Sequence, residues 1–306
     1  MNEAWKVLTL APRAVVEAAL LAHEEALDWD PEIVISGSEE AEDRPDDWQF
    51  EAWLPRRPSK ADTDALRALF PDGYPEFFSV EQLPETDWLT ASQQGLEPIR
   101  AGRFYVHTPE HPPLNQPGVR DFAIPASQAF GTGQHATTAG CLEMLGEMKR
   151  RGLVVRNCAD IGTGTGLLAF AALHLWPRAL ATASDIDAVC LGVVEDNARA
   201  NGIRMGSRPG ELTMLVADGM EHPLLKERGP YDLILANILA GPLIGLAPHF
   251  AKALVPGGHL LLAGLLETQE AQVRRAARAA GLRIAERKVN GDWSILWLRK
   301  RGRGQW

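Results

Sequence analysis

The sequence predicts an α/β protein, in which a doubly wound, mostly parallel seven-stranded sheet follows a smaller α+β domain of ferredoxin-like type. Two patterns support this. From residue 126 onward, strand-like apolar runs alternate with helical segments of about 10 to 15 residues, which is typical of a parallel sheet with helices on both faces. Before residue 85 the order is strand, helix, strand, strand, helix, strand. At 306 residues, the chain is also long enough for two domains.

The first domain is predicted over residues 1–85. Period-two apolar patterns indicate strands, and apolar residues on one face indicate helices. The strands are expected at residues 5–10, 32–35, 48–54 and 74–83, and the helices at 13–27 and 62–70.

Residues 86–125 are rich in proline and are predicted to be a linker, with one strand candidate at 102–107. Residues 126–306 are then the second domain. Its strands are expected at 153–161, 179–184, 212–217, 231–236 and 259–263, with a closing pair within 283–298. Its helices are expected at 138–150, 166–175, 188–201, 242–254 and 267–280.

Composition argues against several classes of function. The net charge of −9 repels polyanions, so nucleic acid is not an expected partner. No apolar run reaches the roughly 20 residues of a membrane helix, and residues 1–10 lack a secretory h-region; we therefore expect a cytoplasmic protein with no membrane partner. Cys141, Cys158 and Cys190 are too widely spaced for a disulfide framework or a zinc site, and no metal is expected.

A glycine-rich turn follows the first strand of the second domain. Gly162, Gly164 and Gly166 alternate with threonines there, and glycine lets a ligand approach the backbone without a Cβ in the way. The dinucleotide fingerprint needs glycine at position 167, which is Leu167, so a nicotinamide or flavin enzyme is disfavoured. The pattern resembles instead the first motif of class I methyltransferases, where the loop lies against the methionine part of S-adenosylmethionine.

Polar residues follow the next three strands, at the edge where such sheets bind ligands. Asp185 lies about 20 residues beyond the glycines and is predicted to accept both hydroxyls of a ribose, whereas Asp187 is better suited to cap a helix. Asp218 either contacts an adenine or only forms a turn. Asn237 offers an acceptor and two donors, and is predicted to align an incoming amine.

A further loop, residues 127–138, precedes the first helix of the second domain. Two glycines and Phe130 stand there beside several hydroxyls. This composition predicts a loop that closes over a cofactor, with Phe130, Thr137 and Thr138 among its contacts. Capping of the helix by Thr137 or Thr138 is the structural alternative.

Four segments of the second domain carry its motifs. They are Ala129-Phe-Gly-Thr-Gly-Gln-His-Ala-Thr-Thr138, Asp160-Ile-Gly-Thr-Gly-Thr-Gly166, Ser184-Asp-Ile-Asp187 and Asn237-Ile-Leu-Ala-Gly-Pro242. Together they closely resemble the bacterial PrmA family, which trimethylates amino groups of protein eleven of the large ribosomal subunit. The resemblance implies cofactor contacts at Thr138, Gly162, Asp185 and Asn237, and an N-terminal domain that recognises the substrate. Gln134 and Ala136 depart from the threonine and proline common in the family.

The resemblance thus implies an S-adenosylmethionine-dependent methyltransferase of lysine and N-terminal amines. The sequence shows no strong general base; His135 is a candidate, but we favour positioning of the amine by Asn237 with proton loss to water. Three alternatives stay open. They are a methyltransferase of another protein or a small amine, a non-enzymatic S-adenosylmethionine sensor or scaffold, and an RNA methyltransferase, which the acidic charge disfavours.

Overall fold

The computed structural model describes residues 4–25, 29–30, 32–39, 46–71, 74–83, 98–125 and 134–302. The chain divides into two compact units, Met1–Gly95 and Leu96–Trp306. This division differs from the expected boundaries of 1–85, 86–125 and 126–306. The reason is that side chains from residues 98–125 are part of the core of the second unit.

The first unit has the predicted order of strands and helices. Its strands form an antiparallel sheet in the order β2-β3-β1-β4, as in a ferredoxin-like domain. Alternate residues of the central strands, such as Val7 and Phe50, are buried in one core together with residues of both helices. The elements are β1 Ala4–Pro12, α1 Arg13–Glu25, β2 Val34–Glu39, β3 Asp47–Leu54, α2 Lys60–Ala68 and β4 Ser79–Leu83.

Residues 98–125 carry a small three-stranded sheet, one strand of which lies within the strand candidate at 102–107. Phe104 and Phe122 are fully buried with ring centroids 6.0 Å apart, and Phe122 lies 6.3 Å from Phe170 of the second unit's helical layer. The Asn201 side chain exchanges two 2.8 Å hydrogen bonds with the backbone of Ala123. These contacts join the stretch to the second unit. Its strands are β5 Ile99–Ala101, β6 Phe104–His107 and β7 Arg120–Ala123.

The main sheet of the second unit has seven strands in the order β10-β9-β8-β11-β12-β14-β13, which confirms the predicted architecture. Strands β8 to β12 are parallel to one another, and β14 runs against both of its neighbours. The strands are β8 Asn157–Ile161, β9 Leu180–Asp185, β10 Leu212–Val216, β11 Tyr231–Asn237, β12 Leu254–Leu266, β13 Leu282–Asn290 and β14 Trp293–Lys300.

Helices cover both faces of this sheet. Because strands of a parallel sheet are buried on both sides, β11 is apolar almost throughout. Leu233 and Leu235 pack with α3, α4 and α5, whereas Ile234 and Ala236 pack with α6, α7 and α8. The helices are α3 Gln134–Arg150, α4 Leu167–Leu175, α5 Val189–Ala200, α6 Pro223–Arg228, α7 Ala240–Ala253 and α8 Glu270–Ala279.

The described residues contain neither a candidate membrane span nor a candidate metal site. None of their helices combines the length and the hydropathy that crossing a bilayer requires. Nor do these residues contain a group of three or more His, Cys, Asp or Glu side chains arranged to hold a metal ion.

Candidate active site

The candidate site lies along the carboxyl ends of β8, β9, β10 and β11. The strand order reverses at β8, with β9 and β10 on one side and β11 on the other, and ligands of doubly wound sheets bind in the crevice at this point. In the strand register, Asp160 is opposite both Ala183 and Leu235, and Asp185 is opposite Val216. The ends of the four strands are therefore neighbours.

The glycine loop after β8 depends on glycine for both conformation and space. Gly162, Gly164 and Gly166 have φ angles of +69°, +56° and +85°, which disfavour other residues. A Cβ on Gly162 would lie 2.2 Å from Cγ2 of Ile238, and one on Gly166 would lie 2.7 Å from Cζ of Phe170. Glycine at these two positions therefore lets the loop pack directly against Ile238 and Phe170 at the switch point of the sheet.

Asp160, near the end of β8, is 2% exposed. Its Oδ2 accepts hydrogen bonds from Thr163 Oγ1 at 2.7 Å and from the Ala169 amide at 3.1 Å, but its Oδ1 has no partner among the described residues. Burial raises the pKa of this carboxyl to about 6, although the two hydrogen bonds oppose that change. A buried carboxylate oxygen without a donor suits a cationic or N–H group of a ligand. The sequence analysis gave Asp160 no role, although an acid just before the glycines was the available signal.

Asp185 ends β9 and is half-buried. Its Oδ2 accepts from the Gly164 amide at 2.8 Å and its Oδ1 from the Asp187 amide at 3.1 Å, so the chain fixes the carboxylate in place. Each oxygen keeps a further lone pair, which leaves the group able to accept from a diol. Asp187 behaves differently, because its Oδ1 accepts from the Val189 amide at 2.9 Å at the start of α5, although the N-cap residue of this helix is Ala188 and not Asp187 as expected.

Asp218 is exposed beyond the end of β10. The turn considered as its alternative role is present, since its carbonyl accepts from the Glu221 amide at 3.2 Å and Gly219 has a φ of +51°. The preceding residue, Ala217, donates its amide to the Asp185 carbonyl at 2.8 Å. Asp218 therefore directly follows a residue that is hydrogen-bonded to Asp185, and it lies on the same edge of the sheet.

Asn237 ends β11 and is half-buried, with no side-chain hydrogen bond to the described residues. The next residue, Ile238, is crowded on two sides. Its side chain covers Gly162, and its carbonyl oxygen lies 2.4 Å from the position that a Cβ on Gly264 would take. The turn that holds Asn237 is therefore packed directly onto the glycine loop, a contact that the sequence analysis missed because the two segments are about 75 residues apart.

Thr137 and Thr138 lie in the first turns of α3 and are buried, at 1% and 5% exposure. The start of this helix is held near the turn between β13 and β14, because Asn290 Nδ2 donates to the Ala136 carbonyl at 2.9 Å. Phe130, the third residue predicted for this loop, lies outside the described residues.

Apolar side chains also lie exposed along this edge. Ile186, Val189 and Leu239 are 69%, 62% and 57% exposed, and each follows a strand that ends at the site. Large apolar residues left open beside polar ones are typical of a crevice that binds a partly apolar ligand. The sequence signal was an apolar residue directly after Asp185 and two residues after Asn237.

A doubly wound sheet with one antiparallel strand, a glycine loop after β8 and an acid ending β9 together define the class I methyltransferase architecture. The family described as "Ribosomal protein L11 methyltransferase (PrmA)" matches residues 17–301. The chain belongs to this family and is a methyltransferase.

Curated relatives agree with the family match. A "Ribosomal protein L11 methyltransferase" of Agrobacterium fabrum (strain C58) is 37% identical over 270 residues, which cover 88% of this chain and 90% of the relative. Another of the same name, from Rhizobium johnstonii, is 43% identical over 235 residues, which cover 77% of each chain.

Among solved structures, the ribosomal protein L11 methylase of Lactobacillus delbrueckii subsp. bulgaricus matches with a TM-score of 0.55 and 24% identity. The match covers 67% of this chain and all of that one. It supports the fold.

Proposed function

We propose that this methyltransferase uses S-adenosylmethionine to methylate lysine and N-terminal amino groups of ribosomal protein L11, with up to three methyl groups on each amine. The family match over residues 17–301 supports this most directly, because it spans most of both units. The curated relatives that match most of the chain are named for the same substrate. A ribosomal substrate is consistent with a cytoplasmic reaction.

The residues of the site fit this cofactor. Oδ1 of Asp160, which has no partner among the described residues, suits an ammonium group, and the glycine loop that begins at Gly162 follows directly at the switch point of the sheet. In this proposal Asp185 accepts from the ribose hydroxyls, and Asp218 contacts the adenine. Thr137, Thr138 and Asn237 complete the contacts, and Phe130 stays a prediction from the sequence.

Bound S-adenosylmethionine supplies a methyl group activated by its sulfonium. The protein's own task is to hold a neutral amine in line, and a lysine amine with an ordinary pKa near 10.4 must first lose a proton. The Asn237 amide is half-buried and free of hydrogen bonds to the described residues, so its oxygen can accept from the amine and direct the nitrogen lone pair. The proton passes to water. The Asp160 carboxyl is already engaged by Thr163 and Ala169, so we give it a binding role only.

The test is incubation of the full chain with labelled S-adenosylmethionine and unmethylated ribosomal protein L11, followed by intact-mass analysis. Mass gains in steps of one methylene are expected. Asp185→Ala should abolish them, because the ribose loses its acceptor and the loop loses the Gly164 contact. The matched control is Asp196→Ala, which removes an exposed carboxylate paired with Arg199 and should leave the gains unchanged.

Two results would contradict parts of this proposal. If the chain binds the cofactor but L11 gains no mass, while another protein of a cell extract takes the label, the substrate assignment is wrong. If Asn237→Ala keeps full turnover at normal cofactor affinity, the positioning role of Asn237 is wrong.

A further inference from the structure

Four arginines lie at the edge of the main sheet opposite the candidate active site. Because β14 runs against the parallel strands, it ends at the edge where those strands begin. We call this group the arginine edge: Arg278 at the end of α8, Arg283 at the start of β13, Arg299 at the end of β14 and Arg301 just beyond it.

The charges of the arginine edge are close together. Arg283 and Arg299 are direct partners in the register of β13 and β14, and like charges in that position destabilise a sheet. Burial, together with the charges of Arg301 and Arg278, lowers the pKa of Arg283. The guanidinium groups of Arg278, Arg299 and Arg301 therefore lie near that of Arg283.

None of the four arginines forms an ion pair with a carboxylate within the described residues. Arg283 donates instead to the carbonyls of Arg278 and Leu282, at 2.9 and 2.8 Å, and Arg299 donates to the carbonyl of Gly257 at 3.3 Å. Cations are favourable at a helix C-terminus, which accounts for Arg278 and Arg283 beside the end of α8. It does not account for Arg299 and Arg301, which are both exposed.

We propose that the arginine edge binds the phosphate backbone of RNA. The planar guanidinium fork matches a phosphate group in bidentate geometry, which an ammonium group cannot do. Arg299 and Arg301 are two residues apart in the chain, so at most about 7 Å separates their Cα atoms, a spacing that suits successive phosphates of an extended strand. Lys300, between them, donates to the Leu254 carbonyl at 2.6 Å, so the exposed charges at this edge are guanidinium groups, which favour phosphates over the flexible carboxylates of an acidic peptide.

RNA binding was not expected from the net charge of the whole chain. A charge of −9 over the whole chain lowers non-specific attraction to nucleic acid, but a local cluster without carboxylates keeps a positive field of its own. Because the arginine edge and the glycine loop are at opposite ends of the strands, bound RNA would leave the crevice open. Phosphate contacts carry no sequence information, so the binding should be insensitive to sequence and sensitive to salt.

The test uses the full chain and a fluorescein-labelled single-stranded RNA of mixed sequence, followed by anisotropy over a salt series. The variant is Arg299→Gln with Arg301→Gln. The matched control is Arg150→Gln with Arg199→Gln, which changes the charge equally at exposed arginines that pair with Glu147 and Asp196. Loss of two phosphate contacts should lower the slope of log affinity against log salt by about 1.4, at roughly 0.7 for each contact. The control should keep the wild-type slope.

Three outcomes would overturn the proposal. The first is the absence of salt-dependent binding by the wild-type chain. The second is a loss of affinity in the control as large as in the variant, which would mean that only total charge matters. The third is complete displacement of the RNA by polyglutamate at equal charge concentration. Methylation of L11 by the same variants should equal that of the wild type. This assay keeps a failure of RNA binding separate from a failure of the proposed function.

Discussion

Two buried carboxylates in the second unit differ in how far the chain satisfies them. Glu270, at the start of α8, accepts from Ser294 Oγ at 2.6 Å, from Arg287 Nε at 2.7 Å and from Arg274 at 3.0 Å. Asp160, in β8, is just as deeply buried but leaves one oxygen without a partner among the described residues.

The two groups consequently have opposite pKa shifts. Burial opposes ionisation of Glu270, yet the hydrogen bonds from Ser294, Arg287 and Arg274 outweigh it and lower the pKa. For Asp160 burial outweighs its two hydrogen bonds and raises the pKa to about 6. Described residues donate hydrogen bonds to both oxygens of Glu270, which only supports the fold. They leave one oxygen of Asp160, beside the crevice, without a partner. Incomplete satisfaction of a buried titratable group is typical of functional sites, which makes Asp160 a candidate for contact with a ligand.

The largest effect is expected from adding a methyl group to the first glycine of the loop after β8. Gly162→Ala forces a non-glycine residue to a φ of +69° and puts its Cβ against Ile238. We expect a loss of about 3 kcal/mol in the free energy of unfolding, measured by denaturant titration, and loss of cofactor binding. Gly146→Ala is the matched control, since nothing lies within 4 Å of that added Cβ and it is in helix α3; it should stabilise by up to about 1 kcal/mol.

A double-mutant cycle separates the cost of the unfavourable φ at residue 162 from the cost of the clash with Ile238. Adding Ile238→Ala to Gly162→Ala removes the clash but keeps the unfavourable φ, so the two changes should couple favourably by about 1 kcal/mol. Strict additivity would mean that crowding by Ile238 contributes nothing.

The completed carboxylate should matter for stability and not for binding. Glu270→Ala removes the shared partner of Ser294, Arg274 and Arg287 and should cost about 2 to 3 kcal/mol in thermal or denaturant unfolding. S-adenosylmethionine affinity by calorimetry should stay at the wild-type value. Glu267→Ala, which removes a half-exposed carboxylate from the same Arg287, is the control and should cost less than about 1 kcal/mol. A fall in cofactor affinity in Glu270→Ala alone would remove the distinction between the two carboxylates.

The same contrast explains what could be read from the sequence. The glycine loop, Asp185 and Asn237 are recognisable because local sequence places them at strand ends. The partners of Glu270 are not, because Arg287 and Ser294 reach it across a turn and a strand register that no local pattern specifies. Residues 98–125 belong to the stretch that was expected to be a linker, because prolines interrupt any periodicity there. In the structure, Phe104 and Phe122 of this stretch are buried in the core.

The opposite pKa shifts predict opposite pH effects. The Asp160 contribution to stability is fully present below its unfolded pKa near 3.9 and is lost as the pH rises through about 6. Asp160→Asn should therefore become more stable than the wild type by about 1 to 2 kcal/mol between pH 4 and pH 7, while binding the cofactor more weakly. Glu270 contributes above its unfolded pKa and loses that contribution as the pH falls through its lowered one, so the cost of Glu270→Gln should shrink in acid. Denaturant titrations from about pH 2 to pH 8 cover both changes, and parallel profiles would contradict the comparison.

The smallest effect separates two neighbouring acids on the crevice side. The Asp187 carboxylate accepts a hydrogen bond from the Val189 amide at the start of α5, so Asp187→Ala should cost about 1 kcal/mol of stability and leave cofactor affinity unchanged. Asp185 holds the glycine loop as well, so Asp185→Asn should reduce cofactor affinity at least tenfold, the equivalent of one lost hydrogen bond to a charged group. Calorimetric titration of both variants decides the matter. If affinity falls equally in the two variants, Asp187 shares the ribose contact with Asp185. The ligand-binding edge would then extend to the start of α5.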